Sequence, residues 1–190
     1  MSEIQANKLS PASGTALQVG DSGDTITIPS GATITNSGTA TGFGVTGTNL
    51  FKATMSSSQT SVTDATWTKV LFNTDSFDTD NVFDTSNNRF VAPASGKYFF
   101  LAKVGMYPNS ANGNKGQTRF YKNGSSIGNT VMVLGLGGSD NYQAENYLIN
   151  SVILNLSQND YIEYYGFFNA PSGSIYFDKD GSHFQGYRIV

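Results

Sequence analysis

The stretch Arg89-Phe-Val-Ala-Pro-Ala-Ser-Gly-Lys-Tyr-Phe-Phe-Leu-Ala-Lys-Val-Gly-Met-Tyr107 decides the fold. Tyr98, Phe100, Ala102, Val104 and Met106 fall on every second position, the two-residue period of a strand with one side in a core. Lys97–Tyr107 therefore reads as a long strand. Arg89–Pro93 reads as a shorter strand that follows a polar Asp/Asn loop.

The same alternation of short strand and turn continues outward. Upstream, Trp67-Thr-Lys-Val-Leu-Phe72 is strand-like. Downstream, Gln117–Lys122 ends at Asn123-Gly124, a tight-turn dipeptide. Ile127–Leu134, Asn146–Leu156, Tyr161–Phe168 and His183–Val190 follow. No segment has a helical period, and many short strands with Gly and Asn turns predict an all-β sandwich or barrel. If successive strands run antiparallel, the short connections at 123–124 and 157–160 share one end. The long segments 107–116, 135–145 and 169–182 share the other, and both ends of the strand region lie with the short connections. Long loops on a rigid scaffold are where contacts are made.

Composition divides the 190 residues in two. The chain has 13 Phe, 10 Tyr and one Trp, yet residues 1–49 hold only Phe43, so the core belongs to 50–190. Residues 1–49 are rich in Gly, Ser and Thr, with Ser-Gly at 13–14, 22–23, 30–31 and 37–38. Between these turns lie Leu17-x-Val19, Ile26-x-Ile28 and Ile34, which read as short strands. One chain buries too little this way to offset its ordering entropy. The regular alternation and the β-branched content favour a stalk of three wound chains over a flexible linker.

The charge balance narrows the function. Net charge is −3 and no basic run exists, which argues against nucleic acid as a partner. No apolar run approaches about 20 residues, so no membrane insertion is expected. The absence of cysteine removes disulfides and thiolate chemistry. The first eight residues show no apolar segment of the secretory kind, so no signal peptide is expected.

Phe90-x-Ala92-Pro93-x-x-Gly96-x-Tyr98-x-Phe100 resembles the signature of the C1q globular head. Leu154-x-Leu156-x-x-Asn159-Asp160-x-Ile162 is similar to its Leu-x-Leu-x-x-Gly-Asp-x-Val turn, with Asn159 in the place of glycine. Phe184-x-Gly186-Tyr187-x-Ile189 resembles its closing strand. The resemblance spans about 67–190. It implies a ten-stranded C1q/TNF-like jelly roll, related to tumour necrosis factor, that assembles as a homotrimer around an aromatic seam. Tyr147, Tyr165 and Phe167 are the seam candidates. No Gly-X-Y repeat precedes the head. Instead, Thr27–Asn36 and Gly38–Phe43 resemble stems of tailed-bacteriophage virion proteins. This second resemblance implies a non-enzymatic virion protein, made in the host cytoplasm and exposed on the particle. It would attach to other virion proteins through residues 1–49, as a tail fibre or knob that contacts a host-surface glycan or receptor. A capsid decoration trimer and an extracellular C1q-like lectin are the alternatives.

Candidate contact residues follow from loop position and polar or aromatic type: Asn109, Asn112, Asn114, Lys115, Asp140, Asn141, Tyr142 and Asn169. No cofactor is expected. Asp75, Asp78, Asp80 and Asp84 crowd one polar stretch and are candidate Ca²⁺ ligands, although their spacing is not that of an EF-hand. A solvated loop accounts for them better. His183 reads as a packed or solvated residue in the turn entering the last strand, and Asp178-x-Asp180-Gly181 as a tight turn. Nothing selects a pair of carboxylates for glycosidase chemistry.

Overall fold

The computed structural model describes residues 9–33, 35, 37, 49–108, 115–135, 146–170 and 175–189. The chain divides into two units, Met1–Phe43 and Gly44–Val190.

In the first unit the Ser-Gly dipeptides are turns. Asp21–Asp24 and Pro29–Ala32 are each closed by an amide-to-carbonyl bond, of 3.0 and 3.1 Å. Their third residues, Gly23 and Gly31, have φ of +96° and +87°, values that admit little besides glycine. The strands expected at Leu17–Val19 and Ile26–Ile28 are not formed, since residues 9–33 contain no strand. Leu17, Val19, Ile26 and Ile28 are all exposed. A strand exists only as half of a ladder, and no described segment of this unit supplies the other half. Ile34 lies outside the described residues.

The second unit is all β. Its strands are β1 Leu50–Thr54, β2 Gln59–Val62, β3 Thr68–Lys69, β4 Thr74–Asp78, β5 Phe83–Asp84, β6 Arg89–Val91 and β7 Gly96–Pro108, then β8 Lys115–Lys122, β9 Ser125–Ser126, β10 Met132–Gly135, β11 Asn146–Leu156, β12 Tyr161–Asn169 and β13 Ile175–Arg188. Among the described residues the one helical element is a single 3-10 turn, Gly128–Thr130. Ten strands make two five-strand paths. The first sheet runs β11-β7-β13-β1-β4 and the second β10-β8-β12-β6-β5, with β2, β3 and β9 added to β13, β12 and β8. Every described ladder is antiparallel. This is the ten-stranded C1q/TNF-like jelly roll that the sequence resemblance implies.

The alternation read along β7 holds: Tyr98, Phe100, Ala102, Val104 and Met106 are fully buried between the sheets. The core is aromatic at its centre. Phe184 of β13 touches the rings of Phe51, Phe72, Phe83, Phe100, Phe120 and Tyr164 at 5.1 to 6.4 Å.

Register fixes the two ends. Leu50 pairs with Tyr187, Tyr98 with Arg188 and Gly96 with Leu156, so both ends of the strand region lie with the short connections. Pro108 pairs with Ile175, Met106 with Asn146, and Lys115 with both Gly135 and Asn169. The flanks of 109–114, 136–145 and 170–174 therefore gather at the opposite end, as expected.

Several sequence readings are corrected. The segment 169–182 is not one long loop, because β13 begins at Ile175 and continues through a bulge between Asp178 and His183. Gly181, at φ +75°, belongs to that bulge rather than to a free turn, and His183 sits inside the strand. Trp67–Phe72 contributes only the two residues of β3, and Ile127–Leu134 splits into the 3-10 turn and β10. The polar stretch around Asp75 contains β4, which pairs with β1.

The short-connection end is locked by Asp160. Its carboxylate accepts from Asn123 Nδ2 at 2.7 Å and from the Ser157 amide at 2.7 Å, and meets Lys122 Nζ at 2.7 Å. Asn123 Oδ1 in turn accepts from the Tyr161 amide at 2.9 Å. Two turns are thus tied through one ionised group, with Asn123 and Asn159 at φ +51° and +69°. Lys122, then Asn123 and the Ser157 amide, hold the Asp160 carboxyl down at about 2, below the ordinary 3.8. A depressed carboxylate stabilises the fold fully above the ordinary value and loses that contribution as pH falls toward 2. Asp160→Asn should cost about 2 kcal/mol at pH 7 in urea unfolding. The gap to wild type should close between pH 4 and pH 2; a gap that stays constant would disprove the lock.

Candidate functional site

Of the eight contact residues expected from sequence, Lys115 and Asn169 are placed directly opposite each other, as the first pair of the β8–β12 ladder. Lys115 is exposed and also pairs with Gly135 of β10. These residues form the rim of the loop end. Asn109, Asn112, Asn114, Asp140, Asn141 and Tyr142 lie outside the described residues.

The rim includes a segment that sequence reading missed. Residues 63–67 join β2 to β3 and are pinned to the end of β12. Asp64 Oδ1 accepts from the Ala170 amide at 2.7 Å, and the Ala65 amide donates to the Phe168 carbonyl at 2.8 Å. Ala65 holds φ +50°, an uncommon backbone for alanine, between these two bonds. The signal available in sequence was the isolated Asp64 beside Trp67.

The outer face of the second sheet sets its cations against its own rings and acids, although Arg119 Nε has no hydrogen-bond partner. Arg119 lies 4.6 Å over the Trp67 ring, Trp67 packs on Phe167 at 5.5 Å, and Tyr121 stacks on Tyr165 at 3.9 Å. Lys69 Nζ meets Glu163 Oε1 at 2.5 Å, and Arg89 lies over Tyr161 at 4.6 Å. Tyr165 and Phe167 therefore lie on this face, whereas Tyr147 lies on the outer face of the first sheet. The three do not share one face of the head. Alternation alone does not say which sheet a face belongs to.

The outer face of the first sheet is organised in cross-strand rows. Ile153, Phe99, Tyr187 and Leu50 form one row across β11, β7, β13 and β1. The next holds Ser151, Leu101, Gln185, Lys52 and Phe77; the one after it Ile149, Lys103, His183, Thr54 and Thr74. Ile153 is 61% exposed and Phe77 44%, and Leu50, Phe77, Phe99 and Tyr187 line an apolar groove of about 240 Å³. A second apolar recess of about 240 Å³ lies where β10 and β11, the outermost strands of the two sheets, run side by side. Met132, Val133 and Ile149 line it and are 43 to 51% exposed. The opposite edge, β4 and β5, carries acidic residues instead.

Those acidic residues are spread over separate hydrogen bonds. Asp78 accepts from the Val82 and Phe83 amides at 2.9 and 2.7 Å. Asp80 accepts from Asn49 Nδ2 at 2.8 Å. Asp84 binds Asn87 and Arg89, with the Asn87 amide foremost in holding its carboxyl low. Asp75 is exposed on β4. Among the described residues no three His, Asp or Glu side chains converge, so Asp75, Asp78 and Asp80 are not gathered as the Ca²⁺ reading requires. They guard a sheet edge instead, where charge discourages pairing with another chain. His183 turns Nδ1 to the Gly181 carbonyl at 3.2 Å and is held low by burial, opposed by that bond, and by the nearby charges of Lys52 and Lys103.

No protein-family profile matches the chain, and no curated protein matches it in sequence. Solved structures do. Murine APRIL at pH 8.5 superposes with a TM-score of 0.53 at 10% identity, over 74% of this chain and 98% of that one. Murine APRIL at pH 5.0 gives 0.52 at 10% identity, over 75% and 100%. The globular domain of zebrafish complement 1qA protein gives 0.47 at 16% identity, over 75% and 98%. The likeness to APRIL at these identities is one of fold, and it agrees with the C1q/TNF-like head.

Cutting the tie at the loop end should loosen that end alone. Asp64→Ala is expected to speed hydrogen exchange at the Ala170 amide roughly tenfold, for about 1 kcal/mol of global stability. Unchanged exchange at Ala170 would show that Asp64 does not hold the rim.

Proposed function

We propose that this chain is a non-enzymatic contact protein that works as a homotrimer, its heads packed around the outer face of the first sheet and its loop end turned to a partner. The pair of unlike apolar patches carries the reading. One is the face of Leu50, Phe77, Phe99, Ile153 and Tyr187; the other is the bare edge of Met132, Val133 and Ile149. Exposed apolar edges and faces of this kind are covered in working proteins. A twofold contact of face on face would leave the edge bare. A head-to-tail contact of edge on face uses both patches and makes a ring where its rotation closes. That the ring has three members rests on the family resemblance.

The finer reading is a virion structural protein of a tailed phage. Residues 1–49 attach it to other virion proteins, and the loops at 109–114, 136–145 and 169–174 contact a host-surface glycan or receptor. Exposed, alternating Leu17, Val19, Ile26 and Ile28 support an attachment region that completes its strands on partner chains. Three copies of a weak site on one axis gain avidity without tight single-site binding. A capsid decoration trimer uses the same parts with no receptor. An extracellular C1q-like lectin is the second reading, and the likeness to the APRIL domain fits it no worse.

Light scattering should give about 61 kDa, three times the 20.3 kDa chain. Phe99→Lys with Ile153→Lys should yield a folded monomer; a trimer that survives both charges would refute the edge-on-face seam. Deleting residues 1–49 should leave a folded head that no longer enters particles. Alanine at Asn112, Asn114 and Tyr142 should weaken cell adsorption about tenfold with an unchanged melting temperature, a loss of about 1.4 kcal/mol. Undiminished adsorption would move the contact surface elsewhere.

A further inference from the structure

The outer face of the first sheet mixes apolar and polar side chains and carries cations near its middle. There Lys103 pairs with His183 across β7 and β13, and Lys52 of β1 stands opposite Gln185, one row away. The other lysines and arginines with ion pairs are accounted for: Lys69 with Glu163, Arg89 with Asp84, Lys122 with Asp160 and Lys179 with Asp180. Among the described residues Lys52 and Lys103 meet no carboxylate within 4.0 Å. Of the two acids of β13, Asp178 is engaged by Ser58 Oγ at 2.9 Å and the Asp180 amide at 3.2 Å, and Asp180 by Lys179 Nζ at 2.5 Å. Asp75 lies on β4, the strand next to β1, where it pairs with Ala53 and makes no ion pair with Lys52.

Lys103 is held in place. Its Nζ rests 4.1 Å over the Tyr147 ring, and the Tyr147 hydroxyl donates to the Asp180 carbonyl at 2.9 Å. The same ring lies so close over Gly105 that a methyl there would come within 2.9 Å of it. The His183 ring is fixed by its Nδ1 contact to Gly181, which leaves Nε2 free to take a proton. Ile149 and Leu101 flank the group on both sides.

On the trimer reading, this face becomes a seam. The strands that would cover it, β10 and β11, contain no acidic residue. Cations pressed between apolar surfaces without a counter-charge are costly. We infer that Lys52, Lys103 and His183 form an anion site, completed when copies of the chain assemble, for a small inorganic oxyanion of the sulfate or phosphate type. The anion supplies the negative charge that the covering strands lack. Burial first, then Lys52 and Lys103, oppose protonation of His183; a bound anion favours it, so binding takes up a proton and strengthens as pH falls.

The test uses the full chain in anion-poor buffer. Sodium sulfate is titrated to 10 mM against sodium chloride of equal ionic strength, with mass followed by light scattering and stability by melting. Saturating sulfate should raise the trimer's melting temperature by about 5 °C, and by more at pH 6 than at pH 8. Lys103→Met and Lys52→Met should each abolish the response. His183→Gln should keep a response but remove its pH dependence. A trimer that ignores sulfate, or an equal response in wild type and Lys103→Met, overturns the anion site and leaves the assembly standing. A monomer at every sulfate concentration overturns the assembly and the site with it.

Discussion

The Phe184 ring is the contact on which the sandwich closes. It projects from β13, the middle strand of the first sheet, and reaches Phe120 and Tyr164 on the central strands of the second. Phe51 and Phe100 flank it within its own sheet, while Phe72 and Phe83 seal the side. Interlocking rings tolerate little sliding, because each prefers an offset or edge-on geometry with its neighbours. Two glycines permit the approach. A methyl on Gly166 would come within 2.6 Å of Met106 and Phe177, and one on Gly186 within 2.6 Å of the Phe99 carbonyl. Once this centre is set, register dictates every outward row.

That register produces two unlike edges and two unlike faces. Around β4 and β5 the charges of Asp75, Asp78, Asp80 and Asp84 line an edge whose backbone groups are otherwise open to pairing. The edge at β10 and β11 has no such guard and exposes Met132, Val133 and Ile149. The second sheet balances its outer charges against its own rings and acids, as in the Lys69–Glu163 pair and the Arg119–Trp67 stack. The first sheet leaves Lys52 and Lys103 without an ion pair, Lys103 resting on the Tyr147 ring.

The sequence made the fold legible where strands are long and one face is buried. β7, β11 and β12 alternate over nine or more residues, and their limits lie close to those read from the pattern. Asn123-Gly124 and Asn159 were legible as turns because left-handed backbone restricts the choice of residue. β1, β4 and β5 were not. They are short, and in β4 both faces are largely exposed, so no apolar period marks them. The bulge in β13 is hidden because Asp178–Gly181 has loop composition, although pairing to β7 resumes at His183. The candidate site was less legible still. Lys115 and Asn169 could be named from loop position, but Lys52, Lys103 and His183 are far apart in sequence and meet only through register.

The two units meet the cost of order differently. The head recovers it through burial, with a continuous core running from Phe51 to Phe184. Among its described residues the first unit has turns but no ladders, and Leu17, Val19, Ile26 and Ile28 are exposed, so these residues do not recover their ordering entropy within one chain. On the proposed reading, trimerisation of the heads changes that balance. Three tethered copies are brought to an effective concentration far above that of free chains, and the missing partner strands become available to one another. Folding of the first unit then depends on assembly of the second. The same seam that covers the apolar edge of β10 and β11 would, through concentration alone, let Leu17, Val19, Ile26 and Ile28 find the ladders their alternation is suited to.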